Sequence, residues 1–254
     1  MTLKQTNASE WVALASDVHK ALQAAADDAK KSAKGESWST EDVAIRLLLR
    51  SCDNLQGVIV LIQSGLMAEG RTITRCLIEN VFGIEALWKD SKKYIEMLKS
   101  DYERSHKNRI DFIGRIFNSV SDVPRSLDSL EKLKEIEDSI NKEEKSNIIN
   151  IKMLSKEGSA DLFYLGYQML SNDAAHATMQ SLERYVEKKS ETDEMFFCYR
   201  SQENSDVDRI DTLHGAMTAA LFVGYGFSNL LNSEETKKNL NCLNQRFTAL
   251  KQKQ

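Results

Sequence analysis

The stretch that decides the fold is the uncharged segment TLHGAMTAALFVGYGFSNLLNS, residues 212–233. Its small residues Ala216, Ala220 and Gly224 recur at every fourth position. That spacing aligns them in a row on one face of a helix, where a second helix backbone can approach closely. The segment therefore predicts a central helix over about residues 207–231, with Ser205 as its N-cap.

The same segment is long enough to raise the alternative of a membrane span. Its polar residues His214, Asn229 and Asn232, and the lack of closely flanking basic residues, instead favour a buried helix. The N-terminal residues MTLKQTNASEW have no apolar h-region, so no secretory signal is expected. We therefore expect a cytoplasmic protein that has no membrane partner.

Helix breakers are scarce along the whole chain. Its 254 residues include one proline and 11 glycines, whereas sandwiches, barrels and doubly wound folds need many such residues at their turns. No internal repeat or low-complexity linker divides the sequence. The composition therefore predicts an all-α fold, a single-domain bundle of about eight to ten helices over residues 1–254.

Apolar periodicity at three- and four-residue spacing places the other helices. The predicted ranges are about 8–32, 40–64, 68–89, 91–120, 148–154, 160–170, 171–188 and 234–251. Densely charged residues from about 126 to 146 predict a peripheral helix that packs by a narrow apolar stripe, and Pro124 predicts a helix start before it. The run MFFCY, residues 195–199, is either a short strand or an extended loop.

Charge, cysteine content and motifs exclude several classes of protein. A net charge of −4 disfavours a protein whose main task is to wrap nucleic acid. The four cysteines form no CxxC pair and have no histidine at metal-ligand spacing, so we expect reduced thiols and no metal site. The sequence contains no Gly-rich phosphate loop, HExxH or GxSxG, and we expect no cofactor.

The first candidate site lies in the predicted helix over about 68–89. Arg71, Arg75 and Glu79 are spaced four residues apart on one face, and apolar residues occupy nearly every other face. Arg75 and Glu79 are therefore expected well inside the protein, where neither charge is tolerated unpaired. They form either an intrahelical ion pair within a bundle core or a polar site in which Arg75 binds an anion.

The second candidate site lies in the predicted helix over about 171–188. Asn172 and His176 fall on one helix face, and the alanines around His176 leave room for a partner helix or a ligand. His176 is either a satisfied core residue or a member of one site that it forms with Arg75 and Glu79 across the bundle.

The third candidate is the pair Arg209 and His214, which fits the loose RxxxxH pattern of HEPN-type ribonucleases. In those all-helical domains the histidine is a general acid/base on an RNA phosphodiester and the arginine stabilises the developing phosphorane charge. On one regular helix the two side chains lie about 140° apart, so a shared face needs local distortion. Asp206, Asp208 and Asp211 crowd the same turn and would repel phosphate.

Two segments carry a resemblance to a known family. They are LIQSGLMAEGRTITRCLIENVFGIEALW, residues 61–88, and LSNDAAHATMQSLERY, residues 170–185. They resemble the bacterial family of unknown function DUF5677, in which a small-residue turn precedes a helix with Arg-x-x-x-Glu and a later Ser…His helix. Arg75, Glu79, Ser171 and His176 stand at the matching positions, and the resemblance covers about residues 40–230. It implies an all-helical fold with no established activity.

Two functions follow as hypotheses, and whether the protein is an enzyme stays open between them. The first is a helical interaction module or effector of a bacterial defence or toxin–antitoxin-like system, a setting suggested by general likeness to helical proteins found there. It would bind a ligand, a protein partner or a second copy at Arg75, Glu79, Asn172 and His176. The alternative is a metal-independent HEPN-like ribonuclease that binds RNA and uses Arg209 and His214 as catalytic residues.

Overall fold

The structure, a computed structural model, describes residues 7–33, 37–119, 149–156, 161–188, 195–197 and 205–253. Nine α-helices make up most of these residues. The helices are α1 (Ala8–Ser32), α2 (Thr40–Gln63), α3 (Met67–Lys89), α4 (Ser91–Ser119), α5 (Ile151–Lys156), α6 (Asp161–Leu170), α7 (Met179–Glu183), α8 (Asp206–Leu230) and α9 (Glu234–Lys251). The predicted all-α bundle is confirmed.

Capping residues in the sequence set several of these helix ends. The Ser39 hydroxyl accepts a hydrogen bond from the Asp42 amide at 3.1 Å and starts α2. The Ser205 hydroxyl does the same for the Asp208 amide at the start of α8. Between α2 and α3 the chain turns at Gly65, whose φ of 77° is readily reached only without a side chain.

The core is built around α2, α3 and α8, which pack against one another. Helix α1 packs against α2 and α8, and α9 packs against α1 and α8. The largest fully buried side chains include Trp11 of α1, Phe82 of α3 and Phe227 of α8. Helix α6 and the turn that follows it pack against α3, outside this core, and there the candidate site is found.

The row of small residues on α8 is used within the chain. Ala216 and Ala220 are completely buried. A methyl group added at Gly224 would lie 2.6 Å from Leu22 Cδ2 of α1 and 3.0 Å from Leu240 Cδ1 of α9. The row therefore allows close packing of α8 against these helices. None of the described helices is both long and apolar enough to cross a membrane.

Enlarging this row should destabilise the protein. Ala220→Leu adds three carbon atoms at a site with no exposed surface, so we expect the free energy of unfolding to fall by about 2 kcal/mol. Ala13→Leu, on the exposed side of α1, is the matched control and should change the stability by less than about 0.5 kcal/mol. Urea unfolding measures both, and equal stability of the two variants would contradict close packing at Ala220.

The predicted continuous helix over about 171–188 is wrong. A π-helical turn, Ser171–Ala175, follows α6 directly, and His176 is extended with φ −125° and ψ 151°. The chain then starts the short helix α7 at Thr178, whose side chain and amide exchange hydrogen bonds with Ser181. Asn172 and His176 therefore do not share a helix face.

A small antiparallel hairpin follows α7. Strand β1 (Val186–Lys188) pairs with β2 (Met195–Phe197), and Val186 lies opposite Phe197. The strand alternative is thus confirmed for residues 195–197, and the rest of that run lies outside the described residues. The charged helix expected over about 126–146, and the start expected near Pro124, also lie outside them.

Candidate functional site

Arg75 lies at the contact between α3 and α6. Its Nη2 is 3.0 Å from Glu79 Oε1 and donates a hydrogen bond to the Tyr167 hydroxyl at 2.7 Å. Its Nε donates to Ser171 Oγ at 2.8 Å, and the guanidinium lies 4.6 Å from the centre of the Tyr167 ring. Arg75 thus joins α3 to the end of α6 and the beginning of the π-helical turn.

The pair of Arg75 and Glu79 exists but lies near the surface. Their side chains are 20% and 22% exposed, and Arg50 approaches Glu79 at 4.0 Å. Because Glu79 neutralises Arg75, and Tyr167 and Ser171 accept from it, Arg75 offers an incoming anion little uncompensated charge. The geometry favours the alternative of a structural ion pair.

The ion pairs that fix the π-helical turn centre on Arg71 and Asp173. Arg71 Nη1 donates to Asp173 Oδ2 at 2.8 Å, and its Nη2 donates to Asp208 Oδ1 of α8 at 2.9 Å. Arg184, which follows α7, donates to Asp173 Oδ1 at 2.7 Å and to the Asp173 carbonyl oxygen. We call these four residues the Arg71–Asp173 network. It connects α3, the π-helical turn, the end of α7 and the start of α8.

The sequence places Arg71 on the same face of α3 as Arg75 and Glu79 but does not show its partners. One signal was available: the positions three and four residues away on α3 hold Met67, Ala68, Thr74 and Arg75, none of them acidic. A partly buried arginine with no acidic neighbour on its own helix requires a carboxylate from another element. The residues around Arg71 in the sequence do not show which carboxylate pairs with it.

His176 lines a groove beside this network, together with Asp173 and Arg184. The groove has a volume of about 280 Å³ and lies between the first turns of α3 and the residues from Asp173 to Tyr185. We call it the polar groove. The His176 side chain is exposed there, and Asn172 is also exposed. The structure therefore does not join His176 to Arg75, whose partners are Glu79, Tyr167 and Ser171.

The two walls of the polar groove differ in chemistry. Glu69, an exposed carboxylate in the first turn of α3, lies on one wall with Ala68 and Thr72. On the other wall, Leu182 and Tyr185 are 55% and 40% exposed. The groove thus offers an acidic group on one wall and exposed apolar surface on the other.

The proposed catalytic pair is not brought together. Helix α8 is regular from Asp206 to Leu230, so the distortion that Arg209 and His214 need for a shared face is not present. Arg209 Nη1 lies 3.7 Å from Asp206, its ion-pair partner. The His214 ring lies 5.1 Å from Phe247 and 6.0 Å from Trp11, between ring centres. The arrangement of His214 is that of a packing residue.

His214 should make stability depend on pH. Burial and the nearby Lys251 hold its pKa below the ordinary value of 6.5, against a smaller opposing effect of Asp211. The unfolded chain therefore binds the proton first, so this contribution is complete above pH 6.5 and is lost as the pH falls towards the folded pKa. His214→Phe should lose less stability than the wild type between about pH 7 and about pH 5.

Urea unfolding at several pH values measures that difference. His19 has a pKa that burial also lowers, so the variant retains part of the dependence, and the difference between the two proteins isolates His214. Parallel stability curves for wild type and His214→Phe would contradict the prediction.

Three of the four cysteines lie within the described residues. Cys52 is buried, which raises its pKa to about 12, and Cys76 and Cys242 are also free thiols. Within the described ranges, no group of three or more His, Cys, Asp or Glu side chains is arranged to hold a metal ion. The fourth cysteine, Cys198, lies outside those ranges.

Comparison with known proteins matches part of the chain, including most of the candidate site, to a family. Residues 41–195 match the sequence model of DUF5677, a family of unknown function. No curated protein and no solved structure matches the chain. The match begins where the resemblance predicted but ends before α8, and it shows no likeness to HEPN-type ribonucleases. Because it covers more than half of the 254 residues, including the polar groove, the chain belongs to the DUF5677 family.

Proposed function

We propose that this protein is a helical interaction module that binds a segment of a protein partner in the polar groove. The observation that carries the proposal is the pairing of an acidic wall with an exposed apolar wall. A partner that presents an aliphatic or aromatic side chain next to a lysine or arginine matches both walls. Of the residues singled out by sequence, His176 takes part directly, and Arg75 and Glu79 act through the support of the π-helical turn.

The contacts that hold the π-helical turn, which lines the groove, support the same proposal. A π-helical turn is a rare element that is frequently found at functional sites. Here its Asp173 is bound by two arginines, Arg71 and Arg184, and Arg75 binds Ser171 at its start. Arg71 is 102 positions from Asp173 and Arg75 is 96 positions from Ser171, whereas Arg184 is 11 positions from Asp173. Together these contacts hold the turn in place without using core side chains. Binding to a preformed surface costs less conformational entropy.

The cellular setting that we propose is a bacterial defence or toxin–antitoxin-like system. General likeness to helical proteins of such systems supports it, and the groove itself has no bearing on it. The ribonuclease hypothesis is not carried further, because Arg209 and His214 do not share a face and His214 packs against aromatic rings.

A peptide library displayed on phage tests the binding proposal. Selection against the wild-type protein should enrich sequences with an apolar residue beside a lysine or arginine. Leu182→Asp and Glu69→Lys should each weaken the binding of an enriched synthetic peptide by about tenfold or more. Leu182→Asp removes apolar surface from one wall of the groove, and Glu69→Lys removes the acidic group from the other.

The matched control is Val60→Asp, which changes an apolar side chain that is 48% exposed on α2, away from the groove. It should bind the peptide as the wild type does. Failure to enrich any sequence, or equal binding by Leu182→Asp and Val60→Asp, would overturn the proposed function.

A further inference from the structure

The wall of the polar groove contains a tight turn centred on Ala177. The Thr178 amide donates a hydrogen bond to the His176 carbonyl oxygen, two residues back, at 2.9 Å, which makes this a γ-turn. Among the described residues other than glycine, only Trp38 and Asn232 have a positive φ. Since φ at Ala177 is therefore negative, the turn is the inverse form, in which the central φ is about −75°.

The polar side chains around this turn are already used within it. The Thr178 hydroxyl donates to the Asn172 carbonyl oxygen at 2.5 Å and accepts from the Ser181 amide at 3.1 Å. The Ser181 hydroxyl donates to the His176 carbonyl oxygen at 2.7 Å. Both carboxylate oxygens of Asp173 accept from arginines. A partner that enters the groove therefore finds these side chains engaged.

The main chain of Ala177, in contrast, is available. Ala177 lines the polar groove, is exposed and carries only a methyl group, so the backbone of a partner can approach it closely. Within the part of the chain that the structure describes, neither its N–H nor its C=O has a hydrogen-bond partner. A helical partner uses its own N–H and C=O groups internally, whereas an extended segment leaves them open to pairing.

The two walls of the polar groove favour an extended segment as well. Glu69 lies on one wall, and Leu182 and Tyr185 lie on the other. Successive side chains of an extended chain point to opposite sides, so a lysine or arginine and the apolar residue next to it reach both walls at once. Neighbouring residues of a helix are about 100° apart and do not face opposite walls.

We propose that the partner segment binds the polar groove in an extended conformation, with one of its main-chain carbonyl oxygens accepting a hydrogen bond from the N–H of Ala177. This inference rests on the proposed function and adds the conformation of the partner and the group that holds its backbone. A carboxylate of the partner fits the same position less well, because Glu69 on the opposite wall would repel it.

Replacing Ala177 with proline tests the role of its N–H. Proline fixes φ near −65°, which suits the inverse γ-turn, and it favours an extended residue before it. His176 already has φ −125° and ψ 151°. Ala177→Pro should therefore keep the turn and a thermal midpoint at least equal to that of the wild type. It should weaken the binding of a peptide enriched by phage display about tenfold, because one hydrogen bond is lost.

Ala177→Ser is the matched control. It keeps the N–H and changes only an exposed side chain, so it should bind the same peptide as the wild type does.

An ester scan of that peptide separates a lost hydrogen bond from a steric effect of the proline ring. Each main-chain amide is replaced in turn by an ester, whose carbonyl oxygen is a weaker acceptor. One replacement should weaken binding to the wild type severalfold and have no further effect on binding to Ala177→Pro, because the two changes remove the same contact.

The outcomes distinguish this inference from the proposed function. Equal binding by Ala177→Pro and Ala177→Ser would overturn the inference, and so would an ester scan without a sensitive position or with the same losses on both proteins. In each case the proposed function stands if Leu182→Asp still weakens binding. A library that yields no peptide at all overturns both.

Discussion

Replacing Trp11 with alanine should lower the free energy of unfolding by about 3–5 kcal/mol, the largest loss expected from a single substitution here. The Trp11 side chain has no exposed surface and packs edge-on against Phe247 of α9, with 5.7 Å between ring centres. Among the described residues its indole Nε1 has no hydrogen-bond partner, so the loss is one of apolar burial and of the cavity left between α1 and α9. In a chain of this size the thermal midpoint should fall by about 10 °C.

Trp88→Ala provides the matched control. Trp88, near the end of α3, is 62% exposed, so its removal should change the stability by less than about 0.5 kcal/mol. Calorimetry or urea unfolding of both variants measures the contrast. A Trp11→Ala protein as stable as Trp88→Ala would show that α1 and α9 do not close the core as described.

Asp173→Asn should cost about 3 kcal/mol and should also abolish peptide binding in the polar groove. Asp173 is 19% exposed and is the common carboxylate of Arg71 and Arg184, which are themselves 24% and 17% exposed. Without its charge, two partly buried guanidinium groups lose the carboxylate that they share. The asparagine amide group also cannot accept two hydrogen bonds in the way the two carboxylate oxygens do.

Asp206→Asn is the control for that change. Asp206 is 59% exposed and lies 3.7 Å from Arg209, so its pairing is screened by solvent and its loss should cost less than about 1 kcal/mol. Urea unfolding of the two variants, with peptide binding as the second readout, separates support of the groove from general stability. An Asp173→Asn protein that binds the selected peptide normally would remove the network from the proposed function.

Several features of the structure follow from the local sequence. Helices α2 and α8 begin where Ser39 and Ser205 cap their first turns. Gly65 lies in the turn between α2 and α3, which needs a positive φ. Apolar spacing gave α1 at its observed bounds, and the polar helix expected over 234–251 is α9. The ion pair of Arg75 with Glu79 follows from their spacing of four residues. These features were predictable because the interacting groups lie within one helical turn of each other.

The interruption of the helix between residues 171 and 178 was decided by the tertiary structure. Helical periodicity continues through that stretch, and only Thr178 with Ser181 gives a weak local signal of a new helix start. At the π-helical turn, Asp173 is paired with Arg71, which is 102 positions away in the sequence. The continuous helix was predicted because local spacing does not contain that pair.

What the sequence by itself determined is the helical class, most helix bounds and the short-range ion pair; the fold alone decided how the candidate residues are grouped. Arg71 is paired with Asp173 and with Asp208, which is 137 positions away, while His214 is placed against the rings of Trp11 and Phe247. The physical reason is the distance along the sequence over which each kind of interaction acts. Caps and periodicity act over one or two turns, whereas the choice among carboxylates or rings for a given side chain depends on which helices pack together.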